Sequence, residues 1–363
     1  MLNPSGIIAT GGGTPGVDIS IELGRSGTHV NINTDADVLA LIGKSAGQQV
    51  KIPNDFWGLS RSTNISFTFS TVANYTLNVS SISGYVTGAQ NSIDIIVPAG
   101  VYVYSMNTGT PALTITGGSA LDIITLTVNG YIQGAGGNGG FAYDDTSGNM
   151  QIGQPGVGGP ALSLGQALTI IGGGYIGGGG GGGAGINGFA SVFGSGGGGA
   201  GGGGGGSLGL YGCTACGNNY PDNFFPGGQG SGPGGIGSNG NGNRDGTGSG
   251  GGGGGQMPGT GGVSSNSTGF GGGAGGGGGS NSYIQYSGAG GSAGNPGGHP
   301  SFVSGNQISS SGGGGGWGAA GGASGSYNGG NFQTFPGAAG GKAIQLNGYG
   351  VSHSGVTVYG AVA

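Results

Sequence analysis

Residues 172–183 read Gly-Gly-Gly-Tyr-Ile-Gly-Gly-Gly-Gly-Gly-Gly-Gly. Glycine has no side chain, so this stretch brings no functional group, and it loses more backbone freedom on folding than any other residue. It is therefore either disordered or held by backbone packing alone. The choice governs the whole chain, because 108 of its 363 residues are glycine and most of them lie between Gly134 and Gly341.

Composition favours order. Charged residues make up 5% of the chain and aromatics 8%, whereas disordered chains are commonly rich in charge and poor in rings. The ordered state open to such runs is polyglycine II, an extended helix of three residues per turn rising about 3.1 Å per residue. Without Cβ atoms these helices pack closely, and their N–H and C=O groups pair with neighbouring helices, as buried backbone must. In that conformation residues 172–183 would span roughly 37 Å.

Charge is unevenly spread. Asp18, Glu22, Arg25, Asp35, Asp37, Lys44, Lys51, Asp55 and Arg61 crowd the start, and the chain changes character near Ser62. The net charge of −5 with six basic residues excludes a nucleic-acid footprint, which needs clustered Lys and Arg. No stretch approaches the ~20 apolar residues of a membrane span. Met1 to Gly13 lacks a basic start and a continuous apolar core, so no export signal is expected. Such a chain fits a product assembled in a cytoplasm and released by lysis.

Val17 to Ile32 alternates like a β-hairpin, with Gly24 to Gly27 as its turn. Thr34 or Asp35 caps a short helix over Ala36 to Ile42, stopped by Gly43. Phe56 and Trp57 close this module. From Asn64 to Val128 short runs alternate at period two, among them Ile65–Ser70, Ile93–Val97 and Ala112–Thr116, which predicts a sandwich or a short β-solenoid. A unit then recurs. Ile124 to Ile132, Ala167 to Ile176 and Ala343 to Tyr349 are each a β-segment, a small turn and a tyrosine, read as turns entering and leaving a glycine bundle.

Catalytic and metal motifs are weak. Gly205-Gly-Ser-Leu-Gly209 and Gly290-Gly-Ser-Ala-Gly294 match a nucleophile elbow, but that motif needs a strand before it, a helix after it, and a His and an acid. Gly43-Lys44-Ser45 resembles the end of a phosphate loop without a leading strand and reads as a helix C-cap. Cys213-Thr-Ala-Cys216 has no second pair to complete a zinc site and reads as a loop disulfide or two thiols. His29, His299 and His353 are far apart in sequence. Asp144-Asp145 reads as a solvated turn. Glycosidases need two positioned acids, and the glycine-rich region has few. No enzyme activity, cofactor or metal is expected.

The candidates for binding are the aromatics in the interruptions between glycine runs: Tyr143, Phe189, Phe193, Tyr211, Tyr220, Phe224, Phe225, Phe270, Tyr283, Tyr286, Phe302, Tyr327, Phe332 and Phe335. Loops of Tyr, Ser, Gly and Asn bind well, because rings give contact area at low entropy cost and small polar residues adapt. Some of these rings instead cover the glycine bundle, and Tyr175 and Trp317, flanked by glycine, are assigned to that role.

Two resemblances follow from these residues. Ser20-Ile-Glu22-Leu-Gly-Arg25-Ser26, then Asp37-Val38 with Leu41, then Asp55-Phe56-Trp57-Gly58, looks like a small module at the start of virion proteins of tailed bacteriophages. It departs from that pattern at Trp57, where tyrosine is common, and at Leu59, where lysine is common. The resemblance implies a virion-attachment role for Glu22, Arg25, Asp37, Phe56 and Trp57. The rhythm of glycine run, loop and glycine run from about Thr125 to Ala363 resembles the distal adhesins of T-even-type phage tail fibres, which end in a polyglycine II sandwich with receptor-binding loops.

The expected fold is thus all-β plus polyglycine II: an attachment module over 1–61, a β-strand-rich domain over 62–128 and a glycine-rich domain over 129–363. The expected function is a tail fibre or tail-tip adhesin in the virion. Its expected partners are other phage tail or fibre proteins, further copies of itself, and a bacterial outer-membrane protein or surface glycan. A purely structural spike is the alternative. An ice-binding protein, which would need one flat, regular face of threonine or small residues, ranks third.

Overall fold

Period-two alternation over Thr63–Thr68, Asn91–Val97 and Ile123–Val128 builds one side of a coil. The structure, a computed structural model, describes residues 19, 31–51, 63–87, 91–144, 150–187, 193–206, 208–210, 223–225, 229–230, 237–239, 253, 288–298, 309–328 and 331–363. Three parallel sheets dominate it. The first contains Thr63–Thr68, Asn91–Val97, Ile123–Val128, Leu168–Ile171 and Val351–Ser354 in that order. The second contains Val72–Ala73, Tyr102–Tyr104, Tyr131–Gln133, Tyr175–Gly177 and Thr357–Tyr359. The third contains Tyr75–Asn78, Leu113–Thr116, Leu162–Leu164 and Ile344–Gln345.

The chain visits the three sheets in rotation and then starts the next coil, always pairing in parallel. That is the path of a solenoid rather than of a sandwich. The stacking puts like residues over one another inside. Val72, Val103, Ile132, Ile176 and Val358 form one column, and Leu113, Leu162 and Ile344 another. Ile93, Ile95, Leu113, Ile115, Leu126, Ile132, Leu162, Ile170 and Ile176 are fully buried in the resulting core. Burying each such side chain is worth about 1.5–3 kcal/mol.

None of the three sheets ends at residue 128, where the sequence places the edge of the strand-rich region. Each continues into strands from the glycine-rich half. The glycine runs are two excursions from the same corner. One leaves after Tyr131–Gln133 and returns at Leu162–Leu164. The other leaves after Tyr175–Gly177 and returns at Ile344–Gln345. Loop-closure entropy grows only logarithmically with length, so a coil tolerates a long excursion if the excursion satisfies its own backbone.

The described glycine runs do so with a period of three. Gly179 and Gly182 donate to the carbonyls of Gly159 and Gly156, Gly180 and Gly183 to those of Ala200 and Gly197, and Gly181 and Ala184 to those of Ala319 and Gly322. The carbonyls of the same run accept in the same rhythm. Those of Gly180 and Gly183 accept from Gly137 and Gly140, those of Gly179 and Gly182 from Gly341 and Ala338, and those of Gly178, Gly181 and Ala184 from Gly318, Gly315 and Gly312. Residues 179–184 therefore have six neighbouring segments, three accepting from them and three donating to them. A Cβ added at Gly179, Gly180, Gly181, Gly182 or Gly183 would overlap a neighbour's carbonyl oxygen.

Before the solenoid lies a short helix, Ala36–Leu41. Asp35 caps it: its Oδ1 accepts from the N–H groups of Asp37 (3.1 Å) and Val38 (3.3 Å). Gly43, at φ +65°, ends the turn, and Lys44 N–H donates to the Leu39 carbonyl at 2.8 Å, so Gly43-Lys44-Ser45 is a C-cap here. Within the expected hairpin over 17–32, Ile19 is helical rather than extended, and residues 20–30 lie outside the described residues.

Candidate functional site

The glycine bundle has two unlike ends. At the solenoid end, Tyr102, Tyr131 and Tyr175 share one register of the second sheet, so adjacent coils place ring over ring. The centroids of Tyr102 and Tyr131 are 4.6 Å apart, those of Tyr131 and Tyr175 5.6 Å, and those of Tyr175 and Tyr359 6.1 Å, all stacked with nearly parallel planes. Burial raises the Tyr102 phenol above its ordinary pKa, and Tyr131 adds to the rise. Trp317 is fully buried with Ala200 against Tyr131, Tyr175 and Tyr359. The bundle turns back at this end: Gly201 faces the Trp317 ring, Gly294 faces the Tyr359 ring, and Gly318 abuts the Tyr359 backbone. Positive φ at these three glycines makes the reversals. Tyr175 and Trp317 thus have the packing role expected of them.

At the other end the extended runs become short antiparallel ladders. Ala142–Asp144 pairs with Met150–Ile152, Ile186–Asn187 with Phe193–Gly194, Leu208–Leu210 with Asn223–Phe225, and Ser324–Asn328 with both Ser309–Ser310 and Asn331–Phe335. Leu208–Leu210 also joins Ala142–Asp144 in parallel. These ladders adjoin: Ile186–Asn187 lies beside Met150–Ile152 and Ser324–Asn328, and Phe193–Gly194 beside Ala142–Asp144 and Ser309–Ser310. Buried serines mark the change from run to ladder. Ser195, Ser311 and Ser324 are buried there, and Ser324 Oγ donates to the Gly185 carbonyl at 2.8 Å.

Several candidate aromatics fall on these ladders. Tyr143, Phe193, Phe224, Phe225, Tyr327, Phe332 and Phe335 are strand residues at this end, and Phe335 is half-buried. Phe189 sits in the connection between Ile186–Asn187 and Phe193–Gly194, and Tyr211 and Tyr220 in that between Leu208–Leu210 and Asn223–Phe225; all three lie outside the described residues. So do Phe270, Tyr283, Tyr286 and Phe302, and so do Glu22, Arg25, Phe56 and Trp57 of the expected attachment set. Asp37 is exposed on the short helix. Phe141, outside the candidate set, lies at the same end with its ring over Gly153.

The described chemistry-bearing groups do not converge. Gly290 to Gly294 is part of a reversal, with Asn295 N–H donating to the Ser292 carbonyl at 2.8 Å, and the described residues around it, 288–298, contain neither strand nor helix. Exposed His353 lies on Val351–Ser354, while His29, His299, Asp145, Cys213 and Cys216 are outside the described residues. Among the described residues no three His, Cys, Asp or Glu side chains are grouped to hold a metal. No described helix is long and apolar enough to cross a membrane.

The family model "Phage tail fibre adhesin Gp38" matches residues 62–250, more than half of the chain. The chain belongs to this family. The adhesin is therefore a tailed-phage tail-fibre protein of a binding rather than a catalytic family. Among solved structures it is similar to a chain in the crystal structure of the gp37-gp38 adhesin tip complex of the bacteriophage S16 long tail fiber. Identity is 17%, with 96% of this chain and 97% of that chain covered and a TM-score of 0.33. No curated protein matches the adhesin.

Proposed function

We propose that the adhesin recognises a host cell-surface receptor, without covalent chemistry, through the ladders and connections at the far end of its glycine bundle. The observation that carries this reading is the gathering of the antiparallel ladders at one end of a scaffold whose other end is anchored on the solenoid. The three-residue hydrogen-bond rhythm supports a polyglycine II bundle, stiff enough to hold those connections in fixed relation. Such pre-ordering lowers the entropy cost of binding.

In this reading residues 1–61 attach the adhesin to other tail-fibre proteins in the virion. The family match beginning at residue 62 supports that division. Several copies acting together would gain avidity. The receptor is an outer-membrane protein or a surface glycan, reached by the aromatics named above.

The test is adsorption. The full chain, fluorescently labelled, should bind host cells and fail to bind receptor-deficient cells. Alanine at Tyr211 and Tyr220 together should abolish binding while leaving the thermal melt unchanged. Unchanged binding in variants that replace every candidate aromatic connection in turn would instead support a purely structural spike. The ice-binding alternative finds little support: the outward rows of the first sheet, Ser66-Asp94-Thr125-Thr169-Ser352 and Thr68-Ile96-Thr127-Ile171-Ser354, are broken by Asp94, Ile96 and Ile171.

A further inference from the structure

The corner between the third and first sheets contains a notch that the proposed receptor-binding end does not use. Three turns stack there. Residues 117–122 connect Leu113–Thr116 to Ile123–Val128, residues 165–167 connect Leu162–Leu164 to Leu168–Ile171, and residues 346–350 connect Ile344–Gln345 to Val351–Ser354. The middle turn is the shortest, so it is recessed between two longer ones. The recess is a cleft of about 430 Å³, within the range typical of small-ligand sites, roughly 300–1,000 Å³.

Its floor is Gly165 and Gln166, one wall is Gly118, Ser119 and Asp122, and the other is Tyr349, 43% exposed. Local structure holds both walls. Asn347, at φ +50°, donates from Nδ2 to Ser163 Oγ and to the Leu164 carbonyl, both at 2.9 Å, and Tyr349 N–H donates to the Leu346 carbonyl at 2.8 Å. Gln166 Nε2 donates to the Ser119 carbonyl at 2.8 Å, which orients its amide across the floor.

The chemistry of the walls narrows the ligand. No Lys or Arg lines the cleft, which disfavours an anion. Asp122 is already committed. Its Oδ1 accepts from Asn91 N–H and Nδ2, and its Oδ2 accepts from Ser119 N–H and the Tyr85 hydroxyl, so it is a poor ligand for a cation. What remains is a neutral molecule with one apolar face for the ring and polar edges for the Gln166 amide and the glycine backbone at 117–118. We propose that this cleft binds a single pyranose ring of a neutral glycan, stacked on Tyr349 with its hydroxyls towards Gln166 and the carbonyls of Gly117 and Gly118. The site is separate from the receptor-binding end, so either can fail without the other.

Saturation-transfer difference NMR on the full chain, with methyl β-D-glucopyranoside, methyl β-D-galactopyranoside and N-acetyl-D-glucosamine as probes, tests this. At least one probe should receive saturation on its ring protons. Tyr349→Ala should weaken the affinity roughly tenfold, and Tyr349→Phe should keep it. Ala167→Trp, which fills the floor from an exposed position, should abolish it. Folding of each variant is checked by its thermal melt. No transfer to any of the three probes, or undiminished transfer in either folded variant, Tyr349→Ala or Ala167→Trp, overturns the proposal.

Discussion

Gly179 donates its N–H to the Gly159 carbonyl at 2.8 Å, and the Cβ that another residue would carry at 179 falls onto the Ala135 carbonyl oxygen. Hydrogen bonding and side-chain absence are thus the same constraint: the segments pair because nothing separates them.

Alanine inside the bundle should therefore cost far more than its size suggests. Gly179→Ala and Gly182→Ala would meet backbone atoms, and overpacking of this kind costs about 1–3 kcal/mol or more. Gly173→Ala meets nothing within 4 Å and should be neutral or stabilise by about 0.4–1 kcal/mol. Chemical denaturation of the three variants separates the cases.

The joint between bundle and solenoid should be as sensitive as a core. Trp317 is fully buried against the tyrosine stack, so Trp317→Ala should cost about 3–5 kcal/mol. The variant should bind host cells weakly above its lowered melting temperature and normally well below it.

Inside the solenoid, direction along the strand decides the effect. Ile170 is fully buried and its neighbour Ile171 is 38% exposed on the same strand. Ile170→Ala should cost about 2–5 kcal/mol, and Ile171→Ala within about 0.5 kcal/mol of nothing. Equal losses in a thermal melt would refute the inward assignment of this register.

Acid should loosen the corner that Asp122 ties together. Burial pushes its carboxyl pKa up, but hydrogen bonds from Asn91, Ser119 and Tyr85 outweigh that and hold it below the ordinary 3.8. A depressed folded-state pKa contributes stability that is complete above the ordinary value and is lost as the pH falls through the depressed one. The melting temperature should therefore drop on acidification below about pH 4, and Asp122→Asn should be less stable at neutral pH but flatter in that acid range.

The sequence disclosed much of the local order. Alternation over Ile93–Val97 and Ala112–Thr116 marked strands that the structure contains; Thr34 or Asp35 and Gly43 marked the ends of the helix, and the structure selects Asp35. The repeat at Ile124 to Ile132 and Ala167 to Ile176 proved to be two successive coils, with Thr125 against Thr169 and Tyr131 against Tyr175. Its third copy was misplaced. Ala343 to Tyr349 leads onto the third sheet, and the true counterpart is Val351–Ser354 with Thr357–Tyr359. The signal was present as alternation in Val351 to Tyr359, but nothing local says which earlier strand it joins. Of the binding candidates, sequence supplied the residue types, and for the seven on described strands the structure supplied a common end. The notch at Gln166 and Tyr349 was invisible, because it arises from the unequal lengths of turns far apart in the chain.

Sequence alone determined that the glycine runs, where ordered, pair backbone to backbone, since glycine leaves no other means of cohesion, and that the strands alternate inward and outward. Only tertiary structure decided that the last 20 or so residues close the same solenoid the early strands begin, and that the glycine runs leave it from one corner. Parallel pairing and close backbone packing are satisfied between segments remote in sequence, and the residues of any one segment do not specify which distant segment will meet it.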